Sequence, residues 1–268
     1  MKDIRKEIRE HDAEYTRLFR EYSRNRKNAS YASGVYTLND DGITDKRVIS
    51  LLDEFSNGNR EYSRFLDEFF SKYGFKLQDA LKDSTLFYGQ DGFKPSNNEE
   101  MLISLVHALE HVREREMLER NGIDYSNQNF EYDPMREVFP MAREKEMALF
   151  LIDKGYNVDN VRNIMNLHIS ENMEAMKKYA KMGLALNTKR RTKAKIEAFP
   201  YAYGDILSST IVLKCGGDFD DVQNSLVCCR ESAYSEQVFS DIGCDKDDLI
   251  PNGGKVLSKI YEPKKSNR

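Results

Sequence analysis

The chain lacks several features that would assign it to a familiar class. It has no tryptophan, six prolines and four cysteines in 268 residues. No apolar run approaches the roughly 18 residues of a membrane-spanning helix, and the N-terminus lacks the apolar stretch of a secretory signal peptide. The cysteines show neither a disulfide framework nor a pair at metal-binding spacing. The sequence therefore predicts reduced thiols in a cytoplasmic protein that needs no cofactor.

The chain also lacks a marked excess of positive or negative charge. The 41 Lys and Arg residues nearly balance the 45 Asp and Glu residues, which gives a net charge of −4. No global basic field favours nucleic acid as a partner, and no acidic block predicts disorder. Residues 2–27 predict an amphipathic helix with a narrow apolar face, which we expect to pack against the body as a cap rather than on a membrane.

A recurring glycine organises most of the chain. Six apolar, helix-like runs each end in a glycine followed by a short polar segment, at intervals of 48, 33, 28, 33 and 27 residues. A unit of about thirty residues is typical of helical repeat arrays. The pattern predicts an all-α, helical-repeat solenoid, which presents an extended binding surface rather than an enclosed pocket. The glycines are Gly74, Gly122, Gly155, Gly183, Gly216 and Gly243.

The clearest unit covers residues 133–160. Asp133 is placed to cap a helix whose first position holds Pro134, where the missing N–H costs no hydrogen bond. We expect a short first helix from there, and then a separate second helix through residues 147–152. Gly155 follows the second helix, where the chain needs a residue in the left-handed conformation.

This helix–turn–helix–glycine unit resembles the ankyrin repeat, because GYNVDN, GIDYSN, GLALN and GGDFDD stand where that family has its glycine-led ending. Gly204 also falls where the family places the glycine between its two helices. No unit carries the family's threonine-proline-leucine-histidine tetrapeptide. The resemblance implies about five to six ankyrin-like units over residues 44–250 with an insertion near 81–98. An N-terminal cap would cover residues 1–43, and a C-terminal cap with a basic tail residues 251–268.

The resemblance implies a non-catalytic module that binds another protein through its concave face and the loops between repeats. Divergent repeats of this kind are similar to those of bacterial effectors and large viruses, which would place an exported protein in the host cytoplasm. The predicted partner-binding residues are Asp124, Tyr125, Asn127, Asn157, Asp159, Lys189, Arg190, Arg191, Lys193, Asp218 and Asp220.

A basic run over residues 188–195 is the most unusual of these loops, with five cations in eight residues. It is either a solvated loop or a contact for an acidic partner, a phosphate group or a nuclear-import receptor. Association with phospholipid or nucleic acid, through this run or the N-terminal helix, is a further alternative. Nucleic acid is disfavoured because no aromatic platform interleaves the cations. The sequence does not indicate an oligomeric state.

One motif points to different chemistry. His107, Glu110 and His111 form a histidine-x-x-glutamate-histidine sequence, the inverted signature of zinc peptidases, in which the histidines bind the metal and the glutamate is the base. The repeat register argues against this role. Counting back from Gly122 places a turn at residues 110–111, which would break the spacing of the two histidines.

A continuous helix over residues 99–120 is the other arrangement that we consider for this motif. Its apolar residues would then face the core, and both histidines would face solvent. Glu171 and Glu174 are candidate third ligands only because they are acidic and lie downstream. The favoured interpretation therefore has no catalytic residue and no metal, and a zinc metallopeptidase using His107 and His111 is the alternative.

Overall fold

The computed structural model of the chain describes five stretches and several isolated positions. The stretches are residues 45–73, 98–122, 137–156, 207–216 and 218–228, and the isolated positions are 161, 165, 204, 243, 255, 256 and 260. The predicted caps at 1–43 and 251–268 and the predicted insertion near 81–98 lie almost wholly outside these residues. Within the predicted C-terminal cap, residues 251–268, Val256 and Ile260 are helical and buried.

Helices dominate the described residues, and none of these residues is in a strand, which confirms the all-α class. No helix in this part of the chain is both long and apolar enough to cross a bilayer. Gly204 and residues 207–215 are also helical. The helices with defined bounds are α1 (Asp45–Ser56), α2 (Arg60–Tyr73), α3 (Asn98–Arg120), α4 (Val138–Asp153) and α5 (Asp220–Cys228).

The two longest helices, α3 and α4, correct the predicted repeat register. The 23 residues of α3 are continuous, so the turn predicted at residues 110–111 is wrong. The two short helices predicted between residues 134 and 153 are also wrong, because α4 is a single helix of 16 residues. Pro140 does not break it, since it lies in the first turn, where backbone N–H groups have no partner within the helix.

Four of the six recurring glycines lie at described positions, and all four are left-handed. Gly122, Gly155, Gly216 and Gly243 have φ between +63° and +78°. At the end of α4, the N–H of Gly155 donates to the carbonyl of Ile152 and the N–H of Tyr156 to that of Leu151, the paired bonds of a Schellman ending. The prediction of glycine helix ends is confirmed there, while the ankyrin-like solenoid stays a prediction.

The core is one continuous cluster in which α3 and α4 pack along each other more extensively than any other pair of labelled helices. α5 packs on α3, and α1 on α2. The Phe55 ring lies edge-on to Phe150, 5.5 Å away, and so joins α1 to α4. Every residue of α4 from 138 to 148 is buried, so the charged side chains within this range have to find their partners inside the protein.

Candidate metal centre

The two histidines of the inverted zinc signature lie together on one face of α3. They are four residues apart, which places them on adjacent turns of the helix. The side chains of His107 and His111 are only 14% and 10% exposed. The prediction that they face solvent is wrong, because the N-terminal half of α4 packs across this face.

Glu137 supplies a third group from the start of α4. It occupies the N-cap position, yet its side chain makes no capping hydrogen bond. Instead, its Oε2 atom lies 3.5 Å from Nε2 of His107 and 3.6 Å from Nε2 of His111. Ser, Thr, Asp and Asn are the residues usually preferred at an N-cap. A glutamate here reaches past the helix end to the histidines of the neighbouring helix.

The three atoms converge on one point. The two histidine Nε2 atoms are 3.1 Å apart, so their separations from each other and from Glu137 Oε2 form a nearly equilateral triangle. Zinc binds nitrogen and oxygen at about 2.0–2.2 Å with tetrahedral geometry, in which neighbouring ligand atoms are about 3.4 Å apart. The separations of 3.1, 3.5 and 3.6 Å are close to that spacing, so His107, His111 and Glu137 could hold such an ion. These residues fit a metal ion with no large rearrangement of α3 or α4.

Glu144 lies next to His107, on the Nδ1 side of its ring. Its Oε1 atom lies 2.7 Å from Nδ1 of His107, on the side of the ring opposite Nε2. A carboxylate in this position is common next to metal-binding histidines, because it favours the tautomer that carries its proton on Nδ1 and leaves Nε2 as the metal ligand. The two atoms are close, but their geometry is not that of a hydrogen bond, so Glu144 is a candidate for this supporting role.

Glu110, the third residue of the signature, lies in a different environment from the two histidines. Its carboxylate is fully buried and accepts hydrogen bonds from Arg113, Arg143 and Gln223, at 3.3, 2.9 and 2.6 Å. Burial alone would raise the pKa of Glu110, but the two arginines outweigh it and lower the pKa. The hydrogen bonds to Glu110 thus come from Arg113, Arg143 and Gln223, none of which belongs to the group around the two histidines.

These arginines belong to a buried charged cluster that joins α3, α4 and α5. Arg113 donates to Asp220 over 2.6 Å, and Arg143 donates to Glu146 over 3.0 Å. The guanidinium of Arg143 also lies between two rings, 4.1 Å from the centroid of Tyr62 and 4.0 Å from that of Phe219. Stacking on aromatic faces is a use to which arginine is well suited.

The cluster holds three acids against two arginines, and its acids do not titrate alike. Burial raises the pKa of Glu146 to about 8, although Arg143 acts in the opposite direction. Burial also raises the pKa of Asp220, against the effect of Arg113 and Arg143. Near neutral pH, Glu146 therefore keeps its proton for much of the time, while Glu110 is ionised beside the two arginines.

The structure places only two of the predicted partner-binding residues. Asp218 is exposed, as a contact residue must be. Asp220 is buried and bonded to Arg113, so its prediction as a surface contact is wrong. The other nine lie outside the described residues, as do Glu171 and Glu174: Asp124, Tyr125, Asn127, Asn157, Asp159, Lys189, Arg190, Arg191 and Lys193. The interaction module stays a prediction.

Comparison with known proteins adds no family to this description. The chain matches no protein-family model, no curated protein and no solved structure. The ankyrin resemblance therefore stays an expectation that depends on the glycine-led endings alone. Function has to be argued from the geometry of the site.

Proposed function

We propose that this protein binds one divalent transition-metal ion, zinc above others, through His107, His111 and Glu137. The convergence of three ligand atoms from α3 and the start of α4 carries the proposal. These are the only three described residues of the His, Cys, Asp and Glu types whose ligand atoms group so closely, all within 4.8 Å of one another. Imidazole and carboxylate groups together suit zinc better than the hard cations that prefer oxygen alone.

Two of the three separations between ligand atoms lie nearer the tetrahedral spacing of zinc than the right-angle spacing of iron. Two histidines and one carboxylate also bind non-haem iron, which is octahedral and has its ligands at right angles. Bonds of about 2.2 Å at right angles bring neighbouring ligand atoms to about 3.1 Å. The two separations to Glu137, 3.5 and 3.6 Å, exceed this value and agree with a tetrahedron. The separation between the two histidine Nε2 atoms, 3.1 Å, equals the right-angle value instead.

Three protein ligands leave the fourth tetrahedral position open to water or to a small ligand. Sites of this kind are typical of exchangeable or catalytic zinc, whereas structural sites have four protein ligands. The proposal does not extend to peptide cleavage, because Glu110 is held in the core by Arg113, Arg143 and Gln223. It is a proposal of metal binding at a site with one open coordination position.

Metal titration of the purified full chain, after treatment with a chelator, tests the proposal. We expect one zinc ion per chain, and we expect His107→Ala, His111→Ala and Glu137→Gln each to weaken binding by more than about 100-fold, beyond the range for groups that only support ligands. Glu119→Gln, an exposed change on the same helix, is the matched control and should bind as the wild type does. Zinc uptake below stoichiometry, or uptake that the three variants retain, would leave the cluster as polar contacts between α3 and α4.

A further inference from the structure

Gly204 lies against Glu137 more closely than any larger residue permits. A Cβ atom built on Gly204 would be 2.9 Å from Cβ of Glu137, and 3.0 Å from both its carbonyl carbon and its carbonyl oxygen. Carbon atoms in favourable contact are about 3.5–4.0 Å apart. Two of the three atoms belong to the backbone and cannot rotate away. Any side chain at position 204 therefore forces either Glu137 or the backbone at position 204 to move.

Backbone conformation does not explain this glycine. Gly204 is helical rather than lying between two helices as the ankyrin register implies, and it is not among the glycines with positive φ. A glycine inside a helix weakens that helix relative to alanine, because it has more conformational freedom to lose. The close approach to Glu137 is what this position gains from having no side chain.

We propose that Gly204 is a positioning residue for the metal site, because it lets its helix pack directly on the backbone of Glu137. This inference rests on the proposed zinc binding. Glu137 is the N-cap residue of α4, and its carbonyl accepts from the N–H of Met141, but its side chain makes no capping hydrogen bond, so contacts with neighbouring elements help to fix the direction of that side chain. The helical residues 207–215, which follow Gly204 in the chain, are held to α4, because the buried Lys145 donates to Ser208 over 2.7 Å.

The matched pair Gly204→Ala and Val212→Ala tests the proposal in the full chain. Val212 is buried in the helical residues 207–215 that follow Gly204 in the chain, so its truncation weakens the packing there without adding an atom beside Glu137. The measurements are zinc affinity and the visible absorption of the Co²⁺-loaded protein, which reports the geometry of the ligands. We expect Gly204→Ala to bind zinc about 10-fold to 100-fold more weakly with an altered Co²⁺ spectrum, and Val212→Ala to match the wild type in both.

The outcomes separate this inference from the proposal on which it rests. A Gly204→Ala protein with wild-type affinity and spectrum would overturn the positioning role alone, since the wild type would still bind zinc. A wild type that takes up no zinc would overturn both. If Gly204→Ala does not fold, hydrogen exchange of the wild type decides. Zinc should slow the exchange of the amides in residues 207–215, and unchanged exchange there would overturn the inference.

Discussion

Arg143 donates to Glu110 over 2.9 Å in a part of the core where neither side chain meets solvent. The pair joins the two central helices, α3 and α4. It lies on the same stretch of α3 as the candidate metal ligands, but its partners belong to a separate group of side chains. The signature that suggested a peptidase is thus divided between two environments. Its histidines face the start of α4, and its glutamate faces the arginines.

Breaking this pair should be costly. Arg143→Met leaves Glu110 buried with one arginine fewer, and removing one partner of a buried ion pair typically destabilises a protein by about 3–5 kcal/mol. We expect a loss of that order in the free energy of unfolding, measured by equilibrium denaturation. Arg120→Met is the control, because Arg120 pairs with Glu116 at the surface, where such pairs contribute about 0–1 kcal/mol. Equal losses in the two variants would contradict the assignment of Arg143 to the core.

The carboxylate of Glu144, which lies next to His107, should increase the zinc affinity of the site although it is not itself a ligand. Glu144→Gln keeps the shape of the side chain but removes the charge 2.7 Å from Nδ1. Loss of such a supporting group typically weakens metal affinity by about 10-fold to 100-fold. We expect a zinc affinity between those of the wild type and of His107→Ala, measured by competition with a chelator. A Glu144→Gln protein that binds zinc as tightly as the wild type would show that Glu144 does not orient the histidine.

Stability should fall as the solution becomes alkaline. Burial raises the pKa of Glu146 from its ordinary value of 4.5 to about 8, so the folded state holds this proton more tightly than the unfolded state does. The resulting stabilisation is complete below about pH 4.5 and is lost as the pH rises towards 8. Glu110 has a lowered pKa and acts in the opposite direction, at the acid end.

Glu146→Gln removes this titration while it keeps a polar side chain in the cluster. We expect the free energy of unfolding of the variant, measured in urea at intervals between pH 5 and pH 9, to depend less steeply on pH than that of the wild type. The difference should favour the variant most at the alkaline end. Parallel pH profiles of the two proteins would contradict a protonated Glu146 in the folded state.

The sequence predicted local features better than it predicted contacts. Helical spacing placed His107 and His111 on one face, and helix-end chemistry identified the left-handed glycines, because both depend on residues close in the chain. Glu137 and Glu144 were missed as members of the metal site. The only sequence signal for them was their spacing: the two acids are seven residues apart, which is about two helical turns, in the helix that follows the one with the histidines. Such a signal is common among surface acids.

The buried charges were missed for a related reason. Arg143 and Asp220 look like ordinary surface residues in sequence, and Asp220 was predicted to contact a partner from the acidic loop after Gly216. Its burial depends on the approach of α5 to Arg113 of α3, a contact between residues more than a hundred positions apart. The predicted register failed at residues 110–111 because periodic glycines mark helix ends but do not require a turn midway between them.

The left-handed glycines provide the last prediction, and Gly155 isolates the effect of backbone conformation. Its φ is +78°, and a Cβ atom built there has no atom within 4 Å, so a side chain would meet no steric obstacle beyond its own backbone. Gly155→Val should therefore destabilise the protein by about 1 kcal/mol or more through conformation alone. Gly155→Asn should cost less, because asparagine tolerates the left-handed region. Urea denaturation of the three proteins compares them. Equal unfolding midpoints for Val and Gly at this position would mean that the end of α4 relaxes to another conformation at no cost.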